Sequence, residues 1–379
     1  MSLRPARRVR ALERTLIRQI FDEAPKGAIN LGLGEPDLPT PPGVRIAGVA
    51  AIAEGRTGYT STAGDPQLRA AVARRYAGFV SGPEGILITV GSQEAMFASC
   101  LALVDPGDEI LYPDPGYPAY PVVARLVGAE PVAYPLRRAR GFRLSAEDVT
   151  RRLTERTRLV ILCSPSNPTG AVNAVEELQP LLRALEHRKI AWLSDEIYAA
   201  FRYETTVCSP SELSPQGGVV VSGLSKEMSM TGWRVGWIAG PSEIVTRAIA
   251  AHQYLVTCAP GISQRSALAA LGPRGESERA AYLDRFRRRR SVMARELSAI
   301  PGVSFRVPEG AFYFFVDVSR YGKSLELSRR ILSEQNVVTI PGVAFGNEGE
   351  GYLRLSFAAT ENAIVEGVQR IGKVLQGAG

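Results

Sequence analysis

The chain has 379 residues, enough for two or three domains with cores of their own. Hydrophobic residues make up 45% and charged residues 22%, an ordinary globular composition that argues against a disordered or fibrous chain. The formal net charge of +7 comes from 45 basic and 38 acidic residues. Its one dense basic run, RFRRRR at 285–290, reads as a solvated helix face, with no aromatic-rich strand or zinc pattern to support nucleic-acid binding.

Four cysteines, at 100, 163, 208 and 258, lack metal-ligand spacing, and the two histidines, His187 and His252, stand apart. No metal site is therefore expected. The basic start, MSLRPARRVR, is not followed by an apolar run, so no secretory signal is read there. No stretch reaches 18 apolar residues, so no membrane span is predicted and the expected location is cytoplasmic.

In chain order, VRALERTLIRQIF at 9–21 has a helical apolar period. INLGLGEPDLPTPP then breaks into an irregular arm, punctuated by Pro and Gly. PPGVRIAGVAAIAEG and DPQLRAAVARRYAGF are framed as helices. From there short Val/Ile/Leu-rich strands alternate with helices of roughly 10–15 residues. The strands fall in ILITV, DEILY, TRLVILC, KIAWLS and GGVVVSG, which predicts a mostly parallel sheet covered on both faces. Near 290–300 the texture changes. AIPGVSFRVPEGAFYFFVDV is extended, SLELSRRILSEQN is helical, and VVTIPG, YLRLSFA and a last helix complete a small α+β unit. The expected division is an N-terminal helix and arm over 1–42 that joins the small unit, a large α/β domain over 43–285, and a small α+β domain over 286–379.

Ligands of open α/β sheets bind beyond the strand C-termini, and the unusual polar residues fall there. Gly91-Ser92-Gln93 follows ILITV and opens a helix, so its free N–H groups suit an anion. Asn167 precedes Pro-Thr-Gly and reads either as a turn residue or as an amide aimed into the cleft. Asp195-Glu196 could cap the next helix or face a cationic ligand atom, and Tyr198 lies three residues on. In SGLSKEMSMTGWRVGW, a lysine beside a buried strand end is costly unless its charge is used or lost. A neutral Lys226 would be a nucleophile toward a carbonyl, and Arg234 suits a phosphate. Together they suggest an aldehyde-bearing phosphate cofactor.

The ordered set LGLGEPD, GYTSTAGDPQLRAAVA, VGSQEA, PDPGYPAY, SNPTG, SDEIY, SKEMSMTGWRVG and RLSFA resembles the fold-type I, pyridoxal-phosphate-dependent aminotransferases of class I/II, over nearly the whole chain. The resemblance implies an α/β fold with a mostly parallel seven-stranded sheet in a large domain plus a small α+β domain. It implies pyridoxal 5′-phosphate as cofactor and ping-pong transfer of an amino group from an L-amino acid to a 2-oxo acid through a lysine aldimine. By the same resemblance, Lys226 is the covalent and proton-moving residue, and Asp195 pairs with the cofactor's ring nitrogen. Asn167 and Tyr198 hold its phenolic oxygen, and Tyr117 stacks on its ring. Ser92, Gln93, Ser225 and Arg234 take its phosphate, and Tyr59 reaches the phosphate of a partner subunit in a homodimer. Arg354 clamps the substrate carboxylate, helped by the Gly34 backbone. Gly223 departs from a pattern of some family members that places a hydroxyl residue three positions before the lysine, which implies a phosphate cup with one side chain fewer or with Ser222 or Ser225 instead. The amino donor stays open between aspartate-like and aromatic-like, with 2-oxoglutarate or pyruvate the acceptor by family habit. The same scaffold also serves Cβ–S lyases and, with an added DNA-binding domain, non-catalytic regulatory modules. About 30 residues precede LGLGEPD, which leaves little room for such a domain.

Overall fold

The computed structural model describes residues 3–10, 12–204 and 208–377. Seven strands form the main sheet: β1 (Ile86–Thr89), β2 (Glu109–Asp114), β3 (Glu130–Pro135), β4 (Thr157–Cys163), β5 (Ala191–Asp195), β6 (Gly218–Gly223) and β7 (Gly236–Ala239). Their spatial order is β1-β7-β6-β5-β4-β2-β3. Five strands run parallel through β6-β5-β4-β2-β3. β7 runs antiparallel between β1 and β6. All residues of β1, β6 and β7 are buried, as continuous apolar strands covered on both faces should be. Two apolar clusters, one on each face, meet this requirement. Val160, Val220 and Trp192 point into one, while Ile161, Val219 and Leu193 point into the other. That alternation is the period-two signature of a strand.

A second, antiparallel sheet of β8 (Ser304–Phe305), β9 (Tyr313–Asp317), β10 (Ile340–Pro341) and β11 (Tyr352–Ser356) has the order β10-β11-β9-β8. Its core holds Phe312, Phe314 and Phe357 against the last helix, Glu361–Gln376. The arm enters this unit through Ile29–Asn30, which pairs in parallel with Val337–Val338.

Two sequence expectations change. The continuous helix over 9–21 is instead a single turn, Arg7–Arg10, and a separate helix, Leu16–Glu23; residue 11 lies outside the described residues. Thr15 has extended backbone and accepts the Arg18 N–H at 3.3 Å, so it caps a new helix where apolar periodicity alone would continue the old one. The RFRRRR run is not a uniformly solvated face. Phe286, Arg289 and Arg290 are buried, Arg289 forks onto Asp37 at 2.6 and 2.9 Å, and Arg290 forks onto Glu204 at 2.8 and 3.1 Å. These arginines sit in the 26-residue helix Pro273–Ser298, which passes straight through position 285 and ties the arm to the rest of the molecule. Among the described residues, no helix is long and apolar enough to cross a membrane.

Candidate active site

The C-terminal ends of five main-sheet strands converge on one cavity of about 310 Å³. Each end delivers a side chain. β1 leads to Ser92 and Gln93, β2 to Tyr117, β4 to Asn167, β5 to Asp195 and Tyr198, and β6 to Ser225 and Lys226. Arg234 lines the cavity just before β7, Arg354 from β11, and Gly34 from the arm. Eleven of the twelve residues picked from sequence therefore share one space. The exception is Tyr59, which lies outside the cavity and is 89% exposed.

The Lys226 amine donates to Gly34 O at 2.7 Å. Burial pulls its pKa down from 10.5 to about 8; Glu35 raises it, and the positive Arg354 and Arg234 lower it further. Asp195 is buried at the end of β5 and accepts from Tyr120 Oη at 2.9 Å and from the Ile197 N–H at 3.3 Å. Burial raises its pKa, and those hydrogen bonds oppose the rise. Arg354 is 2% exposed and donates to Asn167 Oδ1 at 2.9 Å and Gly32 O at 2.6 Å. Its guanidinium lies over the Tyr313 and Phe345 rings at 4.3 and 4.7 Å. Its Nε is buried and has no hydrogen-bond partner among the described residues. A buried donor without a partner is uncommon and marks a place where an acceptor belongs.

The corner where Ser92, Gln93 and Arg234 meet depends on two close approaches. Gly91 has φ +80° and starts the turn into the helix Ser92–Leu103; a Cβ there would sit 2.5 Å from Arg234 Nη2. A Cβ on Gly236 would sit 2.6 Å from both Gly91 C and Ser92 N. Only a bare backbone at 236 lets β7 press against the amides that open the helix. Gly236→Ala should therefore cost about 1–3 kcal/mol, as overpacking does, and loosen this corner. Thermal unfolding checks it against Gly58→Ala, where an added Cβ meets nothing within 4 Å.

The chain matches the family model for aminotransferase class I and II over residues 26–371. It belongs to that family. The aspartate aminotransferase of Pyrococcus horikoshii is 35% identical to it over 382 residues, which cover 98% of this chain and 97% of that one. Thermus thermophilus aspartate aminotransferase with maleate superposes with a TM-score of 0.92 at 32% identity, covering 98% of this chain and 100% of that one. The aromatic aminotransferase from Pyrococcus horikoshii OT3 gives a TM-score of 0.89 at 30% identity, covering 95% and 99%. The fold is accordingly that of the fold-type I, pyridoxal-phosphate-dependent transferases.

Within this aminotransferase fold, Gly223 has a steric explanation. A Cβ there would lie 2.8 Å from Val235 O and 2.9 Å from Gly236 Cα, so backbone occupies the space a hydroxyl side chain would need. Ser222 is no substitute, because its hydroxyl turns away to Glu196 O at 3.1 Å. Ser225 lines the cavity and Ser222 does not. Tyr117 meets Tyr120 edge-on at 5.6 Å, with its hydroxyl 3.4 Å from Gln93 Oε1.

Sequence reasoning missed several participants. Tyr313 reads as one more aromatic in the apolar run AFYFFVDV, yet its hydroxyl lies 2.8 Å from Tyr198 Oη and its ring lies under Arg354. Tyr120 stands inside the quoted PDPGYPAY, but only the fold turns it toward Asp195. Glu94 accepts the Val90 N–H and also contacts His252 Nδ1, both at 3.1 Å, bracing the turn that carries Ser92.

Proposed function

We propose that this chain catalyses pyridoxal-phosphate-dependent transfer of an amino group between an L-amino acid and a 2-oxo acid. The observation that carries the reading is a buried lysine amine, shifted to about 8, sharing one cavity with a buried carboxylate and two arginines, one just before β7 and one in β11. The residues present fit the cofactor. Gly91 and Gly236 clear an anion cradle at a helix N-terminus, beside the Arg234 guanidinium. Ser92, Gln93, Ser225 and Arg234 would hold the phosphate. Asp195 would face the ring nitrogen, with Asn167 and Tyr198 at the phenolic oxygen and Tyr117 against the ring. Bound there, the cofactor supplies an aldehyde that accepts the amino group and a ring that withdraws electrons from the substrate Cα.

The rest is done by side chains. Arg354 takes the substrate α-carboxylate in a fork and fixes where Cα lies. Lys226, neutral for much of the time near pH 8, removes the Cα proton and returns it on the other side of the exchange. The Tyr120 and Ile197 donors favour the anionic form of Asp195 against the upward push of burial, the form that would pair with a protonated ring nitrogen facing it. The Tyr198–Tyr313 hydroxyl pair supplies donors that do not ionise, since burial pushes both upward.

The working unit is a homodimer in this reading. Tyr59 stands in solvent, and Ile46, Val49 and Ile52 leave 61%, 66% and 57% of their surfaces exposed at three-residue spacing along the helix Pro42–Ala53. An apolar stripe of that kind suits a second copy, which would bring Tyr59 to the partner's phosphate corner.

Adding pyridoxal phosphate to purified protein should give a yellow band that shifts with an amino donor, with a keto acid released in proportion. No band at saturating cofactor would sink the proposal. Pyruvate and ammonia released from a cysteine conjugate without any acceptor would reassign the chemistry to a Cβ–S lyase.

A further inference from the structure

Lys226 and Glu227 are neighbours in the loop between β6 and β7, and their side chains go to different places. Lys226 lines the active-site cavity and donates to Gly34 O at 2.7 Å. Glu227 lies outside the cavity and is 5% exposed. Its Oε1 accepts from Arg75 Nη1 at 2.7 Å, and its Oε2 accepts from Arg279 Nη1 at 3.1 Å. Arg75 ends the helix Pro66–Arg75, and Arg279 belongs to the long helix Pro273–Ser298. Glu276, one turn before Arg279, contacts both arginines and closes a ring of carboxylates and guanidinia. Arg75 also lies over the Trp237 ring of β7 at 5.9 Å.

Such a ring does more for geometry than for stability, because desolvation offsets much of the attraction within a buried ion pair. Charge-assisted bonds from separate helices fix both the place and the rotation of residue 227, and with them the peptide that joins it to Lys226. The loop needs this hold. Ser229 has φ +48° and Arg234 φ +52°, conformations that a residue other than glycine keeps only where its surroundings over-determine them. The arm grips the loop at Lys226 and Ser229, and the ring grips it from the helices.

We propose that Glu227 is a positioning residue for Lys226: the carboxylate shared between Arg75 and Arg279 fixes the peptide from which the amine reaches into the cavity. The inference rests on the aminotransferase reading. Glu227 acts by place and not by charge. The charges that bear on the Lys226 amine are Glu35, Arg354, Arg234 and Asp195, whereas the charge of Glu227 is met by its own arginines.

Stopped-flow mixing of the cofactor-loaded enzyme with L-aspartate or L-phenylalanine, whichever shifts the wild-type band faster, tests it. Glu227→Gln should lower the maximal rate of that shift by about 10–100-fold, the scale of a misplacement of about 1 Å at a reacting group. The half-saturating donor concentration should stay within about two-fold, because Arg354 is untouched. Reductive methylation of Lys226 in the cofactor-free variant should keep its midpoint near 8. Glu276→Gln removes a charge from the same ring but leaves both bonds of Glu227, and should keep the wild-type rate. Arg279→Gln leaves Glu227 held by Arg75 alone and should slow the shift by about three-fold or more, which decides the matter if Glu227→Gln does not fold. A wild-type rate in Glu227→Gln or Arg279→Gln, an equal loss in Glu276→Gln, or a displaced methylation midpoint would overturn the proposal and leave the aminotransferase reading standing. Failure of the wild-type protein to load the cofactor would overturn both.

Discussion

Replacing Lys226 with alanine is expected to abolish turnover with every amino donor, a loss of about 10⁴-fold or more, at the upper end for a positioned proton-transfer group. No neighbour can take over. The hydroxyls of Tyr117, Tyr198 and Tyr313 are all raised by burial, which makes them poor at exchanging protons near neutrality. Asp195 is committed to Tyr120 and the Ile197 amide. The pH dependence has a definite sign. A lysine lowered from 10.5 to about 8 has its free amine above pH 8, so reactivity rises through that value. Reductive methylation of Lys226 in cofactor-free protein, followed by mass spectrometry, should show a midpoint near 8. A midpoint near 10.5 would mean that burial does not set the reactivity of this amine.

Arg354→Leu is the second large effect. It should lower kcat/KM by about 10²–10³-fold, equivalent to the ~3–4 kcal/mol lost when one partner of a buried charge pair is removed. The cofactor band should survive, because Arg354 is assigned to the substrate and not to the phosphate. Arg354→Lys should recover only part of the activity, since an ammonium keeps the charge and loses the planar fork. Truncation also strips partners from Asn167 Oδ1 and Gly32 O, so thermal unfolding of each variant separates a binding defect from a folding one. Unchanged kcat/KM with a normal band would remove Arg354 from the site.

How far these residues could be read from sequence depended on what surrounds them. Lys226, Asp195 and Asn167 follow apolar strands, where a polar group stands out because burying it needs a reason. The strands themselves were legible as short Val/Ile/Leu runs between helices. Tyr313 and Tyr120 were not, because a tyrosine among apolar neighbours has the same pattern whether its hydroxyl is idle or paired. Their partners, Tyr198 and Asp195, lie 115 and 75 residues away, and only folding supplies the pairing. Arg289 and Arg290 misled for the same reason. A run of arginines reads as solvated until distant carboxylates, here Asp37 and Glu204, come to meet it. Gly223 looked like a missing hydroxyl, whereas the packing of β6 on β7 leaves no volume for one.

The arm over 31–40 bears on how this enzyme could be shortened or re-engineered. It touches the loop between β6 and β7 repeatedly. Gly34 O receives the Lys226 amine, Glu35 receives Thr231, and Thr40 donates to Ser229 O at 2.7 Å while accepting from Trp233 Nε1 at 3.0 Å. That loop carries both Lys226 and Arg234. The arm is therefore the far jaw of a clasp closed on the loop that carries Lys226 and Arg234. A minimal version cut back to the main sheet would lose the arm's grip on the lysine, and a library that varies 31–40 for new substrates would also change the contacts of the amine to which proton transfer is assigned.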